Sequence, residues 1–229
     1  MDPGVRKIIF PLVLGISGVA VLIYLGAWQL QRLQWKEDII ANIEARISAA
    51  PQSLSNSVSV AENNYQPVAI SGTPTGPELH VLVSGTAAGT GYRVISAFEV
   101  SDGRRILIDQ GLLELDDKNV GPQQQQTQIV GNLIWPDDRN SSTPEPDLGR
   151  NIWFARDVVA MSNALDTQPL MVVVRTSTSA DTRLTPLPVN TVTIKNDHRE
   201  YAITWFLLAA VWAVMTYYLI VRTLRQKDA

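Results

Sequence analysis

The 229-residue chain contains no cysteine. Disulfides, thiolate metal centres and thioether-linked haem are therefore excluded outright. Histidine is nearly as scarce, with His80 and His198 alone, and there are four methionines. That set is too small for a dedicated copper carrier, which draws on thioether and imidazole ligands. Charge is missing in a patterned way: no Asp, Glu, Lys or Arg lies between Lys7 and Arg32, or between Glu200 and Arg222. Each gap holds roughly 20 residues, and at about 1.5 Å per residue a helix of that length crosses a hydrocarbon core of about 30 Å. The first gap is longer than a signal-peptide core and has no Ala-x-Ala-like site, so it is expected to stay in place as an anchor.

The charges that are present set an orientation. Arg6 and Lys7 precede the first gap, and Arg222, Arg225 and Lys227 follow the second. By the positive-inside rule both ends are expected in the cytoplasm and the middle outside it. The segment from Glu37 to Glu200 carries 12 Lys+Arg against 20 Asp+Glu, a net of −8, and the remainder 7 against 2, a net of +5. An acidic exported segment offers no electrostatic footing for nucleic acid. The expected fold class is a membrane protein with two transmembrane α-helices flanking a β-rich α+β periplasmic domain. Its divisions are a cytoplasmic start at 1–7, helices at 8–31 and 201–221, the domain at 32–200 with a helical extension to about 50, and a cytoplasmic tail at 222–229.

Inside the domain the period changes along the chain. "WKEDIIANIEARISAAP" spaces Ile39, Ile40, Ile43 and Ile47 as a helix does, ending near Pro51. Ser53–Asn64 reads as a polar loop. From Tyr65 onward, short apolar runs are punctuated by Gly and Pro: "PVAIS", "LHVLVS", "YRVISAFEV", "RRILIDQG" and "TQIVGNLIW" read as strands. "SDGR" at 101–104 is the turn of a hairpin. "ARDVVAMSNAL" is helical, with Val158, Met161 and Leu165 on one side, and the continuous "LMVVVRT" predicts a central strand. Gln123–Gln126 reads as a solvated loop, as do Asp137, Asp138, Glu145 and Asp147 in a Pro/Ser-rich stretch rather than a calcium site. His80, within a strand, reads as structural.

Two groups of residues lie where the apolar gaps meet the domain. At about 100° per residue, Trp28, Arg32 and Trp35 share one side of a helix, with Lys36 at its margin. His198, Trp205 and Trp212 recur every seven residues with Tyr201 beside them. If the helices pack antiparallel, His198 comes close to Arg32 and Trp35. Two readings are open. One is anchoring, because Trp and Tyr form belts at membrane interfaces and Arg and Lys snorkel there. The other is a cleft for a flat, apolar, anionic macrocycle, with tryptophans against the ring, Arg32 and Lys36 at its carboxylates and His198 on its iron. The domain contains no G-x-S-x-G and no H-E-x-x-H, so hydrolase machinery is missing.

"LGAWQLQRLQWKE" with "NDHREYAITWFLLA" resembles the paired terminal signatures of the Surf1 family of cytochrome oxidase assembly proteins. "GYRVISAFEVSDGRRILIDQG" and "RNIWFARD" resemble that family's central motifs, in the same order along the chain. The resemblance implies two membrane helices, an exported domain and a role in maturing a haem–copper oxidase, with no bond-making catalysis. It implies haem a as cofactor, bacterial members having been proposed to bind it. Carried across by position, the haem-associated histidine is His198, and so the metal ligand. The aromatic–cation motif falls on Trp28, Gln29, Arg32, Trp35 and Lys36, and Tyr201 and Trp205 belong to the second signature. Oxidase subunit I is the expected protein partner, with haem a synthase a second candidate and lipid around the helices of a bacterial inner membrane. Where the family reads close to "NRGW", this chain has "DQGL" at Asp109–Leu112, which separates it from the pattern and is compatible with service to a different oxidase branch. The competing expectation is a cofactor-free scaffold that grips immature subunit I.

Overall fold

In the computed structural model, residues 3–86, 88–119, 121, 124–179 and 181–225 are described. Gln123, the first of the glutamine run, and Lys227 of the expected tail lie outside them. The chain forms two compact units: one from its two ends, up to Asn42 and from Val192, the other Ile43–Thr191.

The first unit is built on α1 (Pro3–Ser48) and α4 (His198–Arg225), both long and apolar enough to cross a membrane. Helix α1 runs unbroken from the apolar stretch through the isoleucine-spaced segment, as the 3.6-residue period predicts. The two helices lie antiparallel along a seam of small residues. A Cβ on Gly15 would fall 2.1 Å from Cγ2 of Thr216, one on Gly18 2.4 Å from Nε1 of Trp212, and one on Gly26 2.7 Å from Cε1 of Phe206. Ala202 and Ala209 of α4 are buried along the same line. Small side chains let apolar helices approach closely where water supplies no driving force.

The second unit is a closed five-stranded barrel. Its strands are β2 (Pro67–Thr86), β3 (Gly89–Val100), β4 (Arg105–Glu114), β5 (Thr127–Ile134) and β6 (Met171–Ser177). The order is β2-β3-β4-β6-β5, closed by antiparallel pairing of β5 with the first half of β2; β4 and β6 run parallel and the other pairs antiparallel. "PVAIS" and "LHVLVS" are therefore one bent strand, paired with β5 from Pro67 to Gly72 and with β3 from Gly72 onward, with a break in register between Thr75 and Glu78 at Gly76. The polar segment expected to be a loop includes two short elements. These are β1 (Gln52–Ser53), parallel to β2, and one helical turn, α2 (Val60–Asn63), whose first turn is capped by the Ser59 hydroxyl accepting from the Glu62 N–H.

Alternation along each strand divides the core in two. Val68, Ile70, Phe98, Ile106, Ile108, Ile129, Leu133, Val172 and Val174, contributed by all five strands, fill the barrel interior, with Leu54 packed among them. The opposite faces present Leu79, Val81, Ile95, Leu107, Met171 and Val173 to helix α3 (Val158–Leu165), which buries Val158, Met161 and Leu165 against them beside Trp153. The side chain of Asp157 accepts from the Ala160 N–H at the start of α3, which fixes where that helix begins. Strand β6 lies between β4 and β5, as its continuous apolar run predicts.

The departure at Asp109–Leu112 has a structural account. It is a bulge: Ile95 opposes Asp109 and Val94 opposes Gly111, leaving Gln110 as the extra residue. Gly111 has φ +120°, and a Cβ there would fall 2.3 Å from the carbonyl oxygen of Thr185 in β7 (Leu184–Thr185), so glycine is required. Gln110 Nε2 donates to Ser96 Oγ at 2.8 Å. Asp109, wholly buried, lies 2.8 Å from Arg93 Nε and 3.5 Å from Arg156 Nη1, and Arg156 also binds Asp138. Burial pushes the Asp109 carboxyl up, while Arg93 and then Arg156 pull it back. The sequence reading missed this network. Its one visible signal was two arginines set in otherwise apolar motifs, "YRVIS" and "WFARD".

His80 is buried, its ring 5.6 Å from that of Tyr92 and its Nε2 3.5 Å from Glu78. The loop carboxylates Asp138, Glu145 and Asp147 pair with Arg156, Arg139 and Arg150.

Candidate functional site

The candidate site belongs to the helix pair. On α1, Trp28, Arg32 and Trp35 sit one turn apart, and the Arg32 guanidinium lies between the two rings, 5.6 Å from the Trp28 centroid and 5.1 Å from the Trp35 centroid. A cation over each indole face is worth about 0.5–1 kcal/mol at an exposed site, enough to hold the arginine against α1 and present a combined ring-and-charge surface. Trp28 and Trp35 are exposed, at 41% and 52%, as is Arg32, and Lys36 is half-buried one turn on.

On α4, His198 is the first helical residue. Its Nδ1 lies 2.7 Å from Oε1 of Gln29. Gln29 continues the seam of Gly15, Gly18 and Gly26, whereas Arg32 stands about 60° and Trp28 and Trp35 about 100–120° round the helix from it. The residue that meets the imidazole is thus Gln29, and the aromatic–cation group occupies the adjoining flank. Trp205 is half-buried, and Trp212 touches the seam at Gly18. Tyr201, at 56% exposure, stands outside it. An apolar groove of about 450 Å³, lined by Val19, Ala20, Ala213 and Thr216, lies deeper between the helices, about 15 Å along α1 from Gln29.

This donor set fits a haem-type ligand in kind. It offers one imidazole with a ring nitrogen not used by Gln29, cations for carboxylates, and indoles for an apolar ring face. Among the described residues no cluster of three or more His, Asp or Glu is placed to hold a metal ion, so iron binding would rest on a cofactor's own ring nitrogens plus His198.

Two apolar helices of membrane-crossing length, with a five-stranded barrel between them in sequence, define a membrane-associated barrel protein. The SURF1 family model matches residues 17–210. Surfeit locus protein 1 of Xenopus tropicalis is 30% identical over 216 residues, covering 81% of this chain and 68% of the relative. Surfeit locus protein 1 of Homo sapiens is 26% identical over 212 residues, covering 81% and 69%. A SURF1-like protein of Monosiga brevicollis is 27% identical, covering 89% and 85%. The chain belongs to the SURF1 family of cytochrome oxidase assembly factors.

Proposed function

We propose that the chain assists assembly of a haem–copper terminal oxidase by binding haem a at the outer end of its helix pair and passing it to catalytic subunit I. What carries the reading is the antiparallel pairing that brings His198, from one end of the sequence, against the Trp28–Lys36 segment from the other. In this role the protein makes no bonds. Its residues bind, orient and hand over a cofactor that supplies the redox chemistry later, in the oxidase. His198 would hold the iron, Arg32 and Lys36 the propionates, and Trp28, Trp35, Tyr201 and Trp205 the ring. The setting is a bacterial inner membrane with both ends cytoplasmic and the barrel periplasmic, and haem a synthase is the partner from which the ligand would come.

Purified from cells that make haem a, the protein should carry the haem, and His198→Ala should lose most of it or show a changed axial-ligand spectrum. Haem retained with an unchanged spectrum removes His198 from the mechanism.

One observation favours a second reading. Trp28, Arg32 and Trp35 lie on an open flank of α1 and not in the seam, which suits a surface that grips immature subunit I without any cofactor. Under that reading haem-free protein still copurifies with subunit I and supports oxidase activity.

A further inference from the structure

A neutral imidazole carries one N–H and one lone pair, and which nitrogen has which is set by the hydrogen bond at the other. The Nδ1 of His198 faces an amide oxygen, Oε1 of Gln29, at 2.7 Å. An amide oxygen only accepts, so the ring must donate from Nδ1, and Nε2 is left with its lone pair. Gln29 is well placed for this. It is half-buried in the seam, one turn from the close approach of Gly26 to Phe206, on a helix with no break near it. Metal-ligating imidazoles as a rule donate their second N–H to a carbonyl or carboxylate, which fixes ring orientation and raises ligand basicity.

We infer that Gln29 is a positioning residue that holds His198 in the Nδ1–H tautomer, so that Nε2 is presented to an iron-bearing ligand. The identity of the ligand rests on the haem reading above; the tautomer does not. The reverse arrangement, with the amide nitrogen donating to Nδ1, would place the proton on Nε2 and block ligation there.

The test uses the full-length chain in detergent, labelled with ¹⁵N-histidine. The sequence has two histidines, so His198→Ala assigns the signals. Wild type and Gln29→Glu, which keeps an acceptor, should show the Nδ1–H form of His198. Gln29→Leu should revert to the Nε2–H form. In a second arm, haem titrated into the same proteins should bind Gln29→Leu about 10–100-fold more weakly than wild type, with a shifted Soret band, and Gln29→Glu should restore both. An Nε2–H signal in the wild type overturns the inference, as does a Gln29→Leu variant that binds haem as wild type does. A wild type in the Nδ1–H form that takes up no haem overturns the haem reading and leaves the tautomer assignment standing.

Discussion

Asp109 occupies a costly position, a carboxyl fully buried between two guanidinium groups. Removing it strands Arg93, whose side chain is only 15% exposed. Breaking a buried pair in this way costs about 3–5 kcal/mol, so Asp109→Ala should lower the unfolding free energy of the detergent-solubilised protein by that amount, read from denaturant titration. Asp109→Asn keeps the oxygen 3.3 Å from the Gly111 N–H and should cost less. Asp102 behaves oppositely at the surface. Hydrogen bonds from the Arg104 side chain and backbone hold its carboxyl below the usual range. A depressed carboxyl adds stability above its unfolded pKa and loses it as pH falls through the lowered value. Asp102 is 44% exposed, so solvent screening keeps the effect to a few tenths of a kcal/mol. Wild type should exceed Asp102→Asn by that margin at neutral pH, and the two should converge in acid.

At the scale of the element, the helix seam is open to direct test because the chain has no cysteine of its own. A Cβ on Gly15 would lie 3.0 Å from Cβ of Thr216, a little closer than the usual separation in a disulfide of about 3.5–4.5 Å. The double variant Gly15→Cys with Thr216→Cys should therefore cross-link under mild oxidation and migrate faster on a non-reducing gel. Adding Gly18→Leu forces Trp212 out of the seam, and overpacking of this kind costs about 1–3 kcal/mol, so cross-linking should fall.

What could be read from sequence follows the range of each interaction. Helix α1 was legible to its last turn because isoleucine spacing is a local signal. The strands were legible as apolar runs between Gly and Pro. The fusion of two runs into β2 was not, since a bend at Gly76 resembles a turn until pairing partners are known. Barrel closure joins Pro67 to Asn132, a distance in sequence at which pattern carries no information. At the candidate site, spacing grouped Trp28, Arg32 and Trp35 correctly on one side of α1 but could not fix the rotation of that helix against its partner. A turn of about 60° replaces Arg32 by Gln29 opposite His198.

For the whole molecule, two antiparallel helices of membrane-crossing length would, on crossing, place the start of α1 and the end of α4 on one side of a membrane. Single-cysteine variants can check it: in the orientation proposed above, Gly4→Cys and Gln226→Cys should react with an impermeant maleimide from the cytoplasmic face, and Gly85→Cys from the periplasmic face. Labelling of the two ends from opposite faces would contradict two spans.

The hydrogen bond between His198 and Gln29 joins residues 169 positions apart. Synthesis proceeds from the amino terminus, so α1 is made well before α4 exists. Its Gln29 waits through manufacture of the whole barrel for the imidazole that answers it. The junction on which ligand binding is proposed to depend is thus among the last contacts the newborn polypeptide can make. A chain cut short between Thr191 and His198 could complete its barrel and still lack the imidazole proposed to meet an iron atom.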